Sequence, residues 1–477
     1  MRLIHGLGTG ILLILGRRGG LRGLPCGLVV LGLAVAGLLG GPLAARPAGA
    51  ETTIIRDAEV EGIIRDWTVP LFRAAGLAPE TLRLRIIADD QLNAFTTGQG
   101  RLFLNTGTLA AAETPDEIIG VIAHEVGHMA GGDVIKLKDQ IEQAQVTSLI
   151  TALLGAAAGA ATGRGDVASG IMLGGQGVAM GQFFGFSRTQ EAMADSFALR
   201  VLDDTGQSAQ GLLTFFERLG DQDLLPTSSQ ALWARTHPLT GDRIAAVRHH
   251  VETTSAEVRP AGPDEQARHA RMVAKLTSFL KSFGLTMRQY PPEDTSLPAR
   301  YARAIAYYRH NDLKEALVEI DGLLADHPDD PYFHELKGQM LFENGRLEPA
   351  VASYRRAVEL APGRTLIILG LAHALVESGR PEDLAEAQEV LSPAVSHETD
   401  NPFAWWLVAN AYGKDGKIPM AAYAEAERAI LLGKPEEALY HVRRAMSETE
   451  KGTPFWFRLE DAEAEAENLK EKMARQR

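Results

Sequence analysis

The sequence predicts a mainly α-helical chain in two halves: a helix-rich domain with a small β-hairpin or sheet, then a solenoid of paired helices. Three observations carry this reading. In the second half residues return at an interval of 34, Ala316 as Ala350, Pro328 as Pro362 and Gly345 as Gly379. In the first half a helix with a start signal and a double-glycine stop runs through residues 114–132. Ahead of that helix one stretch alternates in polarity, and two short apolar runs flank Gly98-Gln99-Gly100.

The length of 477 residues suits two or three domains, each with its own core. The first fifty residues hold five arginines (Arg2, Arg17, Arg18, Arg22, Arg46) and no acid, with an apolar run from Gly27 to Gly40 and Ala48-Gly49-Ala50 at the end. A basic leader, a short Gly-rich run and a small-x-small site read as a signal peptide cut after Ala50. Without those five arginines the formal charge falls from -13 to -18, and Cys26, the single cysteine, is lost. Such acidity argues against nucleic acid and against attraction to anionic lipid. Any metal must then sit on His, Asp or Glu.

Organisation follows from periodicity. Ile55, Val60, Ile63, Ile64, Trp67 and Leu71 fall near helical spacing, so an amphipathic helix is expected over about 52–77. Leu82-Arg83-Leu84-Arg85-Ile86 reads as a strand, and the hairpin edge at Arg101 to Asn105 is open to strand addition by an extended substrate. Thr114-Pro115-Asp116-Glu117 combines an N-cap threonine, proline at the first helical position and glutamate three residues on, a set that satisfies orphan amides. Gly131-Gly132 can end that helix, which places His124-Glu125-Val126-Gly127-His128 in its last turns.

Residues 143–187 are uncharged apart from Arg164 and Asp166. Two runs there are long enough to cross a bilayer, but their Gly, Ala, Gln, Thr and Ser content favours helices that shield the site and touch a membrane peripherally. A Pro/Glu/Asp-containing connector spans 258–298. The 34-residue period beyond it matches the tetratricopeptide repeat, with units at Tyr301 to Pro328, Pro331 to Pro362, Thr365 to about Pro402, and a looser fourth from Phe403 that contains Ala421 and Ala438. The third unit carries an insertion near Pro381-Glu382-Asp383. The expected domains are a leader at 1–50, a domain built around the His124 helix at 51–257, the connector at 258–298 and the repeats at 299–477.

The chemistry starts at His124 and His128. Residues four apart share a helix face, so both imidazoles can reach one ion while Glu125 stands beside the open coordination position. Zinc lowers the pKa of its water toward ~7, and a nearby carboxylate takes the proton as that water attacks a carbonyl. In a chain with 13 histidines the pattern arises by accident only a few times in roughly a hundred such chains, on composition alone. An HExxHxxGxxH site would need histidine at 134, where Val134 stands. Asp133 lies one step past two glycines, where a cap or turn role competes with ligation. Glu191 and Asp195, again four apart on a predicted helix, offer one carboxylate for metal and another to accept a ring N–H from a ligating histidine.

His124 to His128, the segment Ser187 to Asp195, Thr236-His237-Pro238 with Arg243 and Ile244, and Asn93-Ala94-Phe95 together resemble the zinc peptidases grouped with HtpX and the prenyl-protein proteases, a family with an exported branch that carries C-terminal tetratricopeptide repeats. The resemblance implies a gluzincin-like domain with one Zn2+ per chain, held by His124, His128 and Glu191. Glu125 is the implied catalytic base and Asp195 the support of a ligand. His237 is placed close to the metal, as an extra ligand that holds the enzyme inactive or as a donor to the oxyanion, and Arg243 steadies it or the substrate. It further implies a periplasmic endopeptidase that acts on unfolded or misassembled proteins and engages outer-membrane assembly machinery through its repeats. Two other readings compete: a chaperone or scaffold with a latent or structural zinc site, and an integral membrane protease that uses 143–187 as a hairpin.

Overall fold

The computed structural model describes residues 12–15, 53–133, 188–220, 233 and 236–475. The predicted leader, apart from a strand at Leu12–Leu15, and the 143–187 segment lie outside the described residues. Among the described residues no helix is long and apolar enough to cross a membrane. The chain divides into two compact units, Val60–Leu276 and Met1–Glu59 with Thr277–Arg477.

The predicted opening helix is shorter than its periodicity suggested. Strand β2 (Thr53–Arg56) comes first and pairs antiparallel with β1 (Leu12–Leu15); helix α1 runs over Ala58–Ala74. Thr53, Ile54 and Ile55 are β-branched in succession, which favours extended backbone. In the unit Val60–Leu276, β3 (Arg83–Ile87) pairs parallel with β5 (Arg101–Asn105), and β4 (Ala94–Thr96) pairs antiparallel with β5 across the expected turn. Strand β5 is therefore interior, so its predicted role as an open edge is corrected: the strand at the sheet's end is β4.

Helix α2 (Thr106–Ala111) leads to α3 (Pro115–Gly131). Every residue of α3 from Glu117 to His128 is buried, which makes it the central rod of its unit. Its start differs from the capping box expected: the Thr114 side chain caps nothing, while Glu117 accepts from the Glu113 N–H and pairs with Arg218. Next come α4, residues 188–204, and α5 (Gln210–Gly220). Glycines set how closely these neighbours pass α3. A Cβ on Gly211, in α5, would collide with the Asp116 carbonyl. A Cβ on Gly127 would lie 2.7 Å from the carbonyl oxygen of Ala194, in α4, and 3.0 Å from its Cα. Helices α6 (Gly241–Thr253) and α7 (Pro263–Leu280) follow, then α8 (Phe283–Gln289), so much of the predicted connector is helical.

Beyond α8 the fold is the predicted repeat of helix pairs. The first helices of the pairs are α9 (Leu297–Arg309), α11 (Pro331–Glu343), α13 (Thr365–Ser378) and α15 (Pro402–Lys414). Their second helices are α10 (Leu313–Asp326), α12 (Leu347–Leu360), α14 (Pro381–His397) and α16 (Ile418–Leu431), and α17 (Pro435–Ser447) pairs with α18 (Pro454–Arg475). The turn inside each of the first four pairs uses left-handed backbone, at Asn311 (φ 62°), Gly345 (72°), Gly379 (66°) and Gly416 (74°). Asn311 shows why the first return was invisible as a glycine: asparagine is among the few other residues that enter that region. The third unit's extra length is in α14, with 17 residues against 14 in α10, α12 and α16. The strand and first turn at Thr53 to Glu59 dock on these repeats: Arg56 donates to both Glu398 oxygens at 2.9 Å, Tyr301 donates to Glu59 at 2.9 Å, and Ala58 packs with Ala357 and Ile367.

Two outcomes follow from this packing. Gly127→Val drives a side chain into the α4 backbone and should cost about 1–3 kcal/mol, read as a lowered Tm. Asp383, 1% exposed as a side chain, accepts from Ser378 and from Arg380 at 2.8 Å, with Arg355 at 3.3 Å. Burial pushes its carboxyl up, but the Arg380 and Ser378 hydrogen bonds and the Arg355 charge outweigh it and hold it below the ordinary value. A depressed folded pKa stabilises above the unfolded value of about 4 and loses that contribution as pH falls through the folded one. Asp383→Asn should therefore cost about 1–2 kcal/mol near neutrality, and thermal melts of the two proteins should converge in acid.

Candidate metal centre

Helix α3 presents His124 and His128 on one face, and α4 presents Glu191 and Asp195 on the face that meets it. His124 and Glu125 are fully buried, and His128, Glu191, Asp195 and His237 are all under a tenth exposed. The His124 and His128 Nε2 atoms face each other at 3.1 Å. His124 Nε2 lies 3.4 Å from Glu191 Oε2, and His128 Nε2 lies 3.5 Å from Glu191 Oε1. A tetrahedral zinc with donor bonds near 2.0–2.1 Å sets neighbouring donors roughly 3.3 Å apart, so these three residues fit such an ion. Their donor set, two imidazoles and a carboxylate, also suits it. His237 joins the same group, with one ligand atom of each of the four residues within 4.8 Å of the others.

Each sequence-predicted site residue is brought into this one cluster. Asp195 Oδ1 lies 2.9 Å from His124 Nδ1, on the side of the ring away from the donor cluster. Neither oxygen of Glu125 accepts a hydrogen bond within the described residues; its nearest ion-pair partner is His237 Nε2 at 3.5 Å from Oε1. Arg243 bridges several of these groups. It grips Asp195 with Nε at 2.6 Å and Nη2 at 2.8 Å, reaches Glu191 with Nη1 at 3.0 Å, and donates from Nη1 to the Pro238 carbonyl at 3.0 Å. Its reach to His237 is thus through backbone, and its main contacts are carboxylates.

Local structure explains these placements. Thr240 caps α6 by accepting from the Arg243 N–H, which seats the guanidinium one turn inside the helix. The His237 N–H donates to the Trp233 carbonyl at 2.8 Å. The two rings stack at 4.7 Å with 15° between planes, and Trp233 also packs on Phe215 and Phe216. The fully buried Trp233 escaped the sequence reading; its place four residues before His237 is the signal that could have found it.

The charges are strongly coupled. Burial pushes the His124 ring down, but Asp195 and Glu191 outweigh it and raise it to about 9. Burial pushes both acids up, yet His124, His237 and Arg243 draw Glu191 to about 2, and Arg243 and His124 draw Asp195 to about 2. At Glu125 burial wins over the nearby His128 and His124 and raises the carboxyl from its ordinary range. His237 is lowered to about 3, chiefly by burial, so the ring is neutral with a lone pair to offer.

Comparison with known proteins agrees with this geometry. Residues 55–251 match peptidase family M48, and residues 292–433 match the cytochrome c-type biogenesis protein H TPR domain. The chain is 23% identical over 372 residues to the beta-barrel assembly-enhancing protease of Escherichia coli, covering 77% of this chain and 75% of that one. It is 23% identical over 367 residues to the Yersinia pestis protein of the same description, covering 74% and 72%. Metalloprotease LoiP of Escherichia coli is 30% identical over 169 residues, which covers 35% of this chain and 62% of that protein. Residues 55–251 are therefore a peptidase family M48 domain, C-terminal tetratricopeptide repeats follow it, and the chain is a metalloprotease.

Proposed function

We propose that the chain is a zinc-dependent endopeptidase of the periplasm that degrades, or helps to assemble, misfolded or stalled outer-membrane proteins. The observation that carries the chemistry is that the His124 and His128 Nε2 atoms lie 3.1 Å apart, each within 3.5 Å of a Glu191 carboxylate oxygen, beside the buried carboxylate of Glu125. In this reading His124, His128 and Glu191 hold one zinc ion. Bound there, zinc supplies a Lewis acid that polarises a carbonyl and acidifies water.

The protein's own groups do the rest. Glu125 takes the proton of the attacking water on a carboxylate oxygen and returns it to the leaving amine; burial raises its carboxyl above the ordinary range. Asp195 accepts the His124 Nδ1–H, which leaves Nε2 free as a ligand, and Arg243 holds Asp195 in place. The client class and the compartment rest on the descriptions of the relatives and on the predicted leader. The repeats, which match a TPR domain, are the part suited to partner binding.

One observation favours a second reading. His237 sits with the three proposed ligands, and a site closed by four protein ligands is the pattern of a structural or latent zinc.

Glu125→Gln should retain zinc and lose roughly 10²–10⁴ in the rate of digestion of an unfolded protein such as casein; undiminished cleavage by that variant would end the peptidase mechanism. His237→Ala separates the two readings. A fall of roughly 10²–10³ in rate marks an oxyanion donor, whereas a faster enzyme marks a ligand that had closed the site.

A further inference from the structure

Of the two histidines proposed as zinc ligands, His124 has an evident support in Asp195. His128 has a counterpart. Its Nδ1 lies 2.9 Å from Asp133 Oδ2, while its Nε2 faces His124 and Glu191. Both side chains are about nine-tenths buried, with 10% and 12% exposed. We propose that Asp133 is a positioning residue for the metal: it accepts the His128 Nδ1–H, which fixes the tautomer whose Nε2 lone pair points at the ion. The inference rests on the zinc reading of the proposed function.

Three features show that the contact is built. Gly132 ends α3 in left-handed backbone (φ 66°), with its N–H shared between the His128 and Met129 carbonyls, and this turns the chain back so that Asp133 reaches a ring five residues earlier. Gly131 leaves the space: a Cβ there would lie 2.9 Å from Asp133 Oδ1. Gln190 then faces the same carboxylate. With its amide nitrogen turned toward Asp133, the orientation that satisfies both groups, it donates to both oxygens, the one to Oδ2 at 3.2 Å.

Gln190 is buried and directly precedes Glu191. The Asp133 carboxylate thereby ties the end of α3 to the start of α4, beside the third proposed ligand. It also stands apart from the donor cluster itself, because it touches the Nδ1 side of the ring. Its role is to orient a ligand, and the two glycines before it are the means.

The test is zinc affinity of the full chain, measured by competition with a chelator, for wild type, Asp133→Ala, Asp133→Asn and Gln190→Ala. Losing the carboxylate should weaken zinc about 10- to 100-fold, with the far-UV circular dichroism of the metal-free protein unchanged. Asp133→Asn keeps an acceptor oxygen and should weaken zinc less than alanine does. Gln190→Ala should give a smaller weakening again, and kcat on an unfolded protein should fall in the same order with KM steady. Wild-type affinity in both Asp133 variants would reduce Asp133 to a turn residue and overturn the inference; should Asp133→Ala not fold, wild-type affinity in Asp133→Asn and Gln190→Ala together does so. If wild type itself binds no zinc, the zinc reading fails instead, and the two failures are told apart.

Discussion

The site exists because two helix backbones touch. At Gly127 and Ala194, α3 and α4 approach so closely that no side chain fits between them. That approach brings the carboxylates of α4 within 3.5 Å of imidazole nitrogens on α3. Both helices carry their polar groups four residues apart, His124 with His128 and Glu191 with Asp195, so each presents two groups on one face. Were the helices at the usual separation of 8–10 Å set by larger side chains, the glutamate would have to span the added gap. Glycine in the middle of the histidine motif thus has a reason of its own, separate from the chemistry of its neighbours. Interior glycine costs helix stability, by about 1 kcal/mol, and close approach is what the position receives in exchange.

A second constraint is charge. Glu125, Glu191 and Asp195 are all buried in one cluster, and Arg243 is the buried guanidinium among them. It pairs with Asp195 and Glu191; together with His124, which contributes most at Glu191, it pulls those two acids down, whereas burial pushes Glu125 up. Uncompensated buried charge is expensive. A dication among these donors relieves that cost, so the residue set is suited to metal on electrostatic grounds as well as on distance.

Much of this was legible in the sequence, for a physical reason. Local spacing determines which groups share a helix face, so His124, Glu125, His128, Glu191 and Asp195 could be singled out from their intervals. The 34-residue return of Ala350, Pro362 and Gly379 revealed helix pairs in the same way. What escaped depends on contacts distant in sequence. Strand order is one case: nothing in Arg101 to Asn105 tells that β3 will pair on its far side. The stacking of Trp233 on His237 is another, since a tryptophan between Leu232 and Ala234 announces no partner. Arg243 was singled out beside His237, but its contacts with Asp195 and Glu191, about fifty residues away, could not be read from spacing. Thr114 shows the limit of local rules: its helix start is well formed, yet Glu117 turns to the Glu113 amide and to Arg218 instead of completing the box.

The donors also differ in how they are held. His124 and His128 belong to a helix buried on every side, and Glu191 to a helix locked against it at Gly127. His237 donates its N–H to the Trp233 carbonyl and precedes Pro238, outside either helix. Its ring is kept by the stack on Trp233, by Thr236 Oγ1 3.0 Å from Nδ1, and by the Arg243 bond to the Pro238 carbonyl. Arg243 also grips Asp195 and reaches Glu191, so its guanidinium joins the two α4 carboxylates to the segment that bears His237. Releasing its bond to Pro238 would cost one hydrogen bond of the loop and leave the paired contacts with Asp195 intact. The helices therefore dictate where His124, His128 and Glu191 stand, whereas His237 is placed from outside them, by the Trp233 stack, Thr236 and Arg243.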